Sequence, residues 1–130
     1  MSESALTRIL YVEDDSDIRT VASFALKAVG GFTVEACASG QEALARAEGF
    51  APQLILLDVM MPGMDGPTTL ERLRALPSLA AVPAVFMTAK VQPQEITRYR
   101  GLGSLDVISK PFDPMTLSTS VRQIWANHHG

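Results

Sequence analysis

The strongest constraint in this sequence is a rhythm, in which five short apolar runs alternate with longer stretches of helical spacing. The runs are Ile9-Leu-Tyr-Val12, Phe32-Thr-Val-Glu-Ala36, Leu54-Ile-Leu-Leu57, Ala84-Val-Phe-Met87 and Leu105-Asp-Val-Ile108. Leu54–Leu57 and Ala84–Met87 are apolar throughout, as strands covered on both faces must be, whereas Phe32–Ala36 alternates as a strand near an edge does. Between them, Ile18, Val21, Ala22, Ala25, Leu26 and Val29 predict the apolar stripe of a first helix, ended by Gly30-Gly31. Ser39-Gly-Gln-Glu42 reads as a capping box, with Ala43, Leu44 and Ala47 forming the face behind it. Gly66-Pro67, Gln92-Pro93 and Asp113-Pro114 place proline at helix starts, where its missing N–H costs nothing. Leu117, Val121, Ile124 and Trp125 predict the buried stripe of the last helix. Five βα units in 130 residues predict one doubly wound α/β domain with right-handed connections.

Composition narrows the function. With 47% hydrophobic and 19% charged residues the chain is no disordered segment, and its length suffices to bury roughly two-thirds of its surface on folding. A net charge of -3 argues against a partner held by phosphate contacts, so no nucleic acid is expected. No stretch is long and apolar enough to span a bilayer, and MSESALTR lacks the apolar core of a secretory signal. Cys37 is a single cysteine, which fits a reducing, cytoplasmic compartment. The expected division is a short extension over 1–7, one domain over 8–127 and a frayed tail over 128–130.

Open α/β sheets bind ligands at the carboxyl ends of their strands. Glu13-Asp14-Asp15 follow the first run, Asp58 the third and Thr88-Ala89 the fourth, and Lys110-Pro111 lie two residues beyond the fifth. Glu13, Asp14 and Asp58 form an all-oxygen set that suits a hard divalent cation, Mg²⁺ or Mn²⁺, and no His/Cys cluster has zinc spacing. A carboxylate, a metal, a lysine and a hydroxyl around one vacancy are the parts of phosphoryl transfer. Asp58, at the end of the most hydrophobic strand, is the best nucleophile for an aspartyl-phosphate. Each residue also has a plainer reading: Asp14 and Asp15 as helix caps, Thr88 as a strand residue, Lys110 as a solvated lysine. Their coincidence on one sheet edge favours the chemical one. Met60, Met61, Met64 and Met87 are read as packing, Cys37 as a small buried hydrophobe and His128 and His129 as a terminus.

Over residues 8 to 127 the chain resembles the CheY-like receiver domain of bacterial two-component response regulators. The matching pieces are Val12-Glu-Asp14, Leu57-Asp-Val-Met-Met-Pro-Gly-Met-Asp-Gly66, Thr88-Ala89 and Lys110-Pro-Phe112, in the family's order and spacing. The resemblance implies a flavodoxin-like three-layer sandwich with strand order 2-1-3-4-5, standing alone as a monomer or weak dimer. It implies that Asp58 takes a phosphoryl group from a phosphohistidine of a sensor kinase or phosphotransfer protein. Asp14 would ligate Mg²⁺ directly, Glu13 through water and Met60 through its backbone carbonyl. Lys110, preceding a cis proline, would pair with the phosphoryl oxygens; Thr88 would move toward them and Ala89 would keep the approach open. Such a domain is a switch or relay, not an enzyme, with only self-phosphorylation and autodephosphorylation as its chemistry.

Two departures matter. Val107 stands where many receivers carry Tyr or Phe, so output is expected instead from the loop and helix between Lys90 and Tyr99. Met60 cannot orient a water and Lys90 can shield the site, which predicts slow loss of the phosphoryl group. The competing functions are a phosphate-independent receiver-like interaction module and a haloacid-dehalogenase-like phosphatase. The latter places its nucleophile on the first strand with a second acid two residues later, whereas here position 60 is Met.

Overall fold

The structure, a computed structural model, describes residues 5–129. Residues 1–4 of the expected extension and residue 130 of the expected tail lie outside the described residues. Five strands, β1 (Arg8–Val12), β2 (Thr33–Cys37), β3 (Leu54–Asp58), β4 (Ala84–Thr88) and β5 (Ser104–Ser109), form one sheet. All pairings are parallel and the order is β2-β1-β3-β4-β5, which is the expected doubly wound topology. The helices are α1 (Ser16–Phe24), α2 (Gly40–Phe50), α3 (Gly66–Arg74), α4 (Pro93–Gly101) and α5 (Leu117–His129).

The strand period of two sorts side chains into two cores. Leu10, Val12, Ile55, Leu57, Ala84 and Phe86 face α2, α3 and α4, together with Ala43, Ala47, Leu70, Leu73 and Tyr99. Ile9, Tyr11, Leu54, Leu56, Val85 and Met87 face α1 and α5, where they meet Ala22, Leu26, Leu117 and Val121. Strands β3 and β4 are buried along their whole length, which is why their sequences are unbroken runs of apolar residues up to Asp58 and Thr88. Cys37 is buried and free, and burial pushes its thiol up to about 11, which keeps it an inert core residue.

The caps follow the sequence. Asp15 accepts from the amides of Asp17 and Ile18, Ser39 from that of Glu42, and Asp65 from that of Thr68. Glu42 reaches back past the cap to accept from the Ala38 amide, one residue before the N-cap amide that the expected capping box would use. The last helix departs from expectation at both ends. Its regular part starts at Leu117, after a turn in which the Asp113 carbonyl accepts from both Thr116 and Leu117, and it continues past residue 127 to His129.

The first helix differs more. Its last turn, Ala25–Val29, is a π-helix, and α5 clamps it: Ser118 Oγ donates to Ala25 O at 3.2 Å, and Arg122 donates to Gly30 O while lying over the Phe32 ring. Gly30 permits this approach, since a Cβ there would lie 2.3 Å from Ser118 Oγ. The wider turn rotates Val29 off the buried stripe, and Val21 sits at the stripe's edge, so both are exposed where burial was expected. With Phe24, Pro114 and Met115 they line an apolar groove between α1 and the turn preceding α5.

Along β4–β5 the register shifts by one residue between Ala84↔Ser104 and Phe86↔Val107. Ser104 Oγ supplies the acceptor for the Phe86 amide at 3.1 Å and itself donates to Asp106 O, which satisfies the bulge. Val107 thereby faces the core that holds Phe86 and Tyr99.

Candidate functional site

The parallel order puts the ends of β1, β3, β4 and β5 on one sheet edge. Register sets their heights. Tyr11 pairs with Leu56, so the next residues on that face are Glu13 and Asp58. Carboxylate oxygens of Glu13, Asp14 and Asp58 all lie within 4.8 Å of one another. Glu13 and Asp58 are 1% and 3% exposed, depths at which charged side chains need partners. Lys110 supplies one: its Nζ donates to Glu13 Oε1 at 2.9 Å and to Asp58 Oδ1 at 3.0 Å. The Lys110 amide continues the β4–β5 ladder by donating to Thr88 O, which sets the lysine at this edge; the Lys110–Pro111 bond is cis.

Three carboxylates face one ammonium. Burial, opposed by the Lys110 hydrogen bond and reinforced by the charges of Glu13 and Asp14, pushes the Asp58 carboxyl up to about 6. Burial disfavours the Lys110 ammonium, but its bonds to Glu13 and Asp58 outweigh that and hold its titration above the usual lysine range. An oxygen-only donor set with surplus negative charge fits a hard divalent cation.

Thr88 is buried, and its Oγ1 accepts from the Lys90 amide at 3.0 Å, so its hydroxyl oxygen is engaged by the loop leading to α4. Ala89 is exposed beside it. Met60 follows Asp58 by two residues with its side chain 65% exposed. Gly66 brings the start of α3 against the end of β3, where a Cβ would lie 2.5 Å from the Asp58 carbonyl oxygen. Asp15 caps α1 as expected and stands outside the triad.

Two contributors escaped sequence reasoning. Arg19 Nη1 donates to Glu13 O at 2.8 Å and Asp14 O at 3.3 Å, holding the backbone that carries both carboxylates. Its signal was a lone arginine one turn into a helix that opens with acids. Tyr11 lies in the layer beneath Glu13; its signal was a phenol within an otherwise aliphatic run.

Known proteins resemble this chain in sequence and in fold. The family described as response regulator receiver domain matches residues 9–122. The transcriptional regulatory protein CseB of Streptomyces coelicolor is 33% identical over 91% of this chain and 49% of its own length. A 14.6 kDa protein of the sodA1 3' region of Leptolyngbya boryana is 35% identical over 95% of this chain and 93% of its own. The chemotaxis protein CheY4 of Vibrio cholerae superposes with a TM-score of 0.84 at 30% identity, covering 92% of this chain and 99% of CheY4. The chain therefore spans about half the length of the transcriptional regulators it matches. Among the described residues no helix is long and apolar enough to cross a membrane.

The raised Asp58 value has a stability consequence with a definite sign. The folded protein holds this proton to higher pH than the unfolded chain, so stability is lost as pH rises from about 4 to about 6. Metal-free Asp58→Asn is expected to be more stable than the parent by roughly 1–3 kcal/mol at pH 7, with the gain vanishing near pH 4. Urea unfolding of both proteins across that range checks it.

Proposed function

Because this chain belongs to the response regulator receiver family, we propose that its Asp58 accepts a phosphoryl group from a phosphohistidine and that the change is read at α4. The single observation that carries this reading is the Lys110 ammonium bridging Glu13 and Asp58 beside Asp14. An Asp58 Oδ attacks phosphorus, the O–P bond forms as the N–P bond breaks, and the imidazole nitrogen keeps the bonding pair and takes a proton. Glu13, Asp14 and Asp58 would hold Mg²⁺ or Mn²⁺, with the Met60 carbonyl as a further ligand. The cation supplies charge neutralisation for the carboxylates and the phosphoryl oxygens. Lys110 turns from the two carboxylates to a phosphoryl oxygen, a move of one mobile ammonium within the same site. Ala89 leaves the approach open because it has no side chain beyond Cβ.

Thr88 links the site to output. If its hydroxyl turns toward the phosphoryl group, the Lys90 amide loses its acceptor. That amide belongs to the exposed segment leading into α4, whose inner anchor is Tyr99, edge-on to Phe86 at 5.5 Å. With Val107 in place of an aromatic residue, this path through Thr88, Lys90 and α4 is the one we assign to the signal.

The donor is a sensor kinase or phosphotransfer protein. A surface for it adjoins the site: Ile18, Val21 and Pro114 border Lys110, and the groove continues through Phe24, Val29 and Met115. Phe24 is 67% exposed, and exposed apolar patches of this kind mark interaction surfaces. A reducing, cytoplasmic compartment suits the free Cys37. The domain's only chemistry in this reading is its own phosphorylation and the hydrolysis of its own aspartyl-phosphate.

Intact-mass spectrometry after incubation with acetyl phosphate and Mg²⁺ is expected to show one added phosphoryl group on the parent and none on Asp58→Ala. No addition to the parent, from acetyl phosphate or from a kinase, would instead indicate a phosphate-independent interaction module. The exposed, apolar Met60 offers an attacking water no hydrogen bond, so the parent's phosphoryl group should outlast that of Met60→Asn. A pulse-chase of the phosphorylated forms measures both lifetimes, and a shorter-lived parent contradicts the assignment.

A further inference from the structure

Asp14 stands at a corner that belongs neither to β1 nor to α1, and its carboxylate is the least supported of the three. Glu13 is held by Lys110 and by the Asp15 amide, and Asp58 by Lys110. The Asp14 carboxylate is exposed and makes no hydrogen bond or ion pair among the described residues. The direction in which it presents its oxygens to a cation therefore depends on its backbone.

One nitrogen restrains that backbone. Arg19 Nη1 donates to Glu13 O at 2.8 Å and, more weakly, to Asp14 O at 3.3 Å. The first carbonyl belongs to the peptide plane before the Asp14 Cα and the second to the plane after it. Holding both planes restrains the two backbone dihedrals of Asp14, and with them the direction of its Cα–Cβ bond. Only the side-chain torsions are then left to aim the carboxylate.

The grip comes from a helix. Arg19 ends the first turn of α1, its amide bonded to Asp15 O at 2.9 Å, and Asp15 caps that helix. Its side chain is half-buried and forms no ion pair among the described residues, so its charge strengthens the bonds to the two carbonyls. Charge by itself would make Arg19 a poor neighbour for a metal site. A guanidinium behind Glu13 and Asp14 repels a divalent cation that approaches their carboxylates. Its charge and its grip thus act on cation binding with opposite signs.

We propose that Arg19 is a positioning residue for the divalent cation, holding the Asp14 backbone so that the carboxylate is aimed for ligation. The inference rests on the reading of Glu13, Asp14 and Asp58 as the ligands. Groups that orient metal ligands typically carry roughly 10- to 100-fold of the affinity, enough to outweigh a modest gain from lost repulsion.

The test is calorimetric titration of the full, unphosphorylated chain with Mg²⁺, comparing the parent with Arg19→Met. The variant loses both charge and donor and is expected to bind Mg²⁺ about tenfold more weakly, where charge alone would make it bind more tightly. Urea unfolding without metal establishes that the variant is folded under the titration conditions. Should Arg19→Met fail to fold, Arg19→Gln carries the same comparison, being uncharged with its amide nitrogen two bonds nearer the backbone. A folded variant that binds Mg²⁺ as tightly as the parent, or more tightly, would overturn the inference and leave Arg19 a structural clamp of the β1–α1 corner. A parent that binds no Mg²⁺ would overturn the metal-site reading and this inference with it.

Discussion

Three carboxylates and one ammonium meet at the carboxyl edge of the sheet, and the remaining features of the site answer that imbalance. Lys110 neutralises part of it by bridging Glu13 and Asp58. Burial keeps water from screening what is left, which is why Asp58 holds its proton to about 6 despite its cationic partner. A site in this condition gains from any divalent cation that its oxygen ligands can hold. Its negative surplus also disfavours any further anion unless a cation and the Lys110 ammonium offset the charge. The proposed binding and reactivity thus draw on one electrostatic shortfall that the fold maintains at a cost to its own stability.

The scaffold bears that cost because its two cores are independent of the edge. Strands β3 and β4 are buried on both faces below Asp58 and Thr88, so the backbone that presents them is fixed by packing rather than by the site. Around the edge, local contacts set direction. Arg19 holds the carbonyls of Glu13 and Asp14, Asp15 caps α1, and Gly66 admits α3 against the end of β3. The same edge adjoins the outer surface at Thr88, whose hydroxyl oxygen accepts from the Lys90 amide at the entry to α4.

Strand positions, sheet order and the gathering of the candidate residues at one edge were legible because they follow from short-range rules: unbroken apolar runs, caps, and chemistry placed at strand ends. Glu13, Asp14, Asp58 and Lys110 meet as their placement implied, and Thr88 lies at the same edge with its hydroxyl turned to the loop. What sequence could not supply depends on contacts distant in the chain. Val21 and Val29 fit a helical stripe, yet the π-turn clamped by Ser118 and Arg122 of α5 rotates Val29 outward, and no neighbour covers Val21 fully. The start of α5 shifted because the Asp113 carbonyl is shared by two amides. Tyr11 and Arg19 gain meaning only from what lies above or behind them in space.

The most direct test is the titration of the Asp58 side-chain carboxyl by ¹³C NMR, with and without saturating Mg²⁺. A midpoint near 6 in the metal-free protein, falling into or below the ordinary carboxylate range on Mg²⁺ addition, is the predicted result. A metal-free midpoint near 4 that Mg²⁺ leaves unchanged would contradict the account, since the buried carboxylates would then carry no shortfall for a cation to relieve.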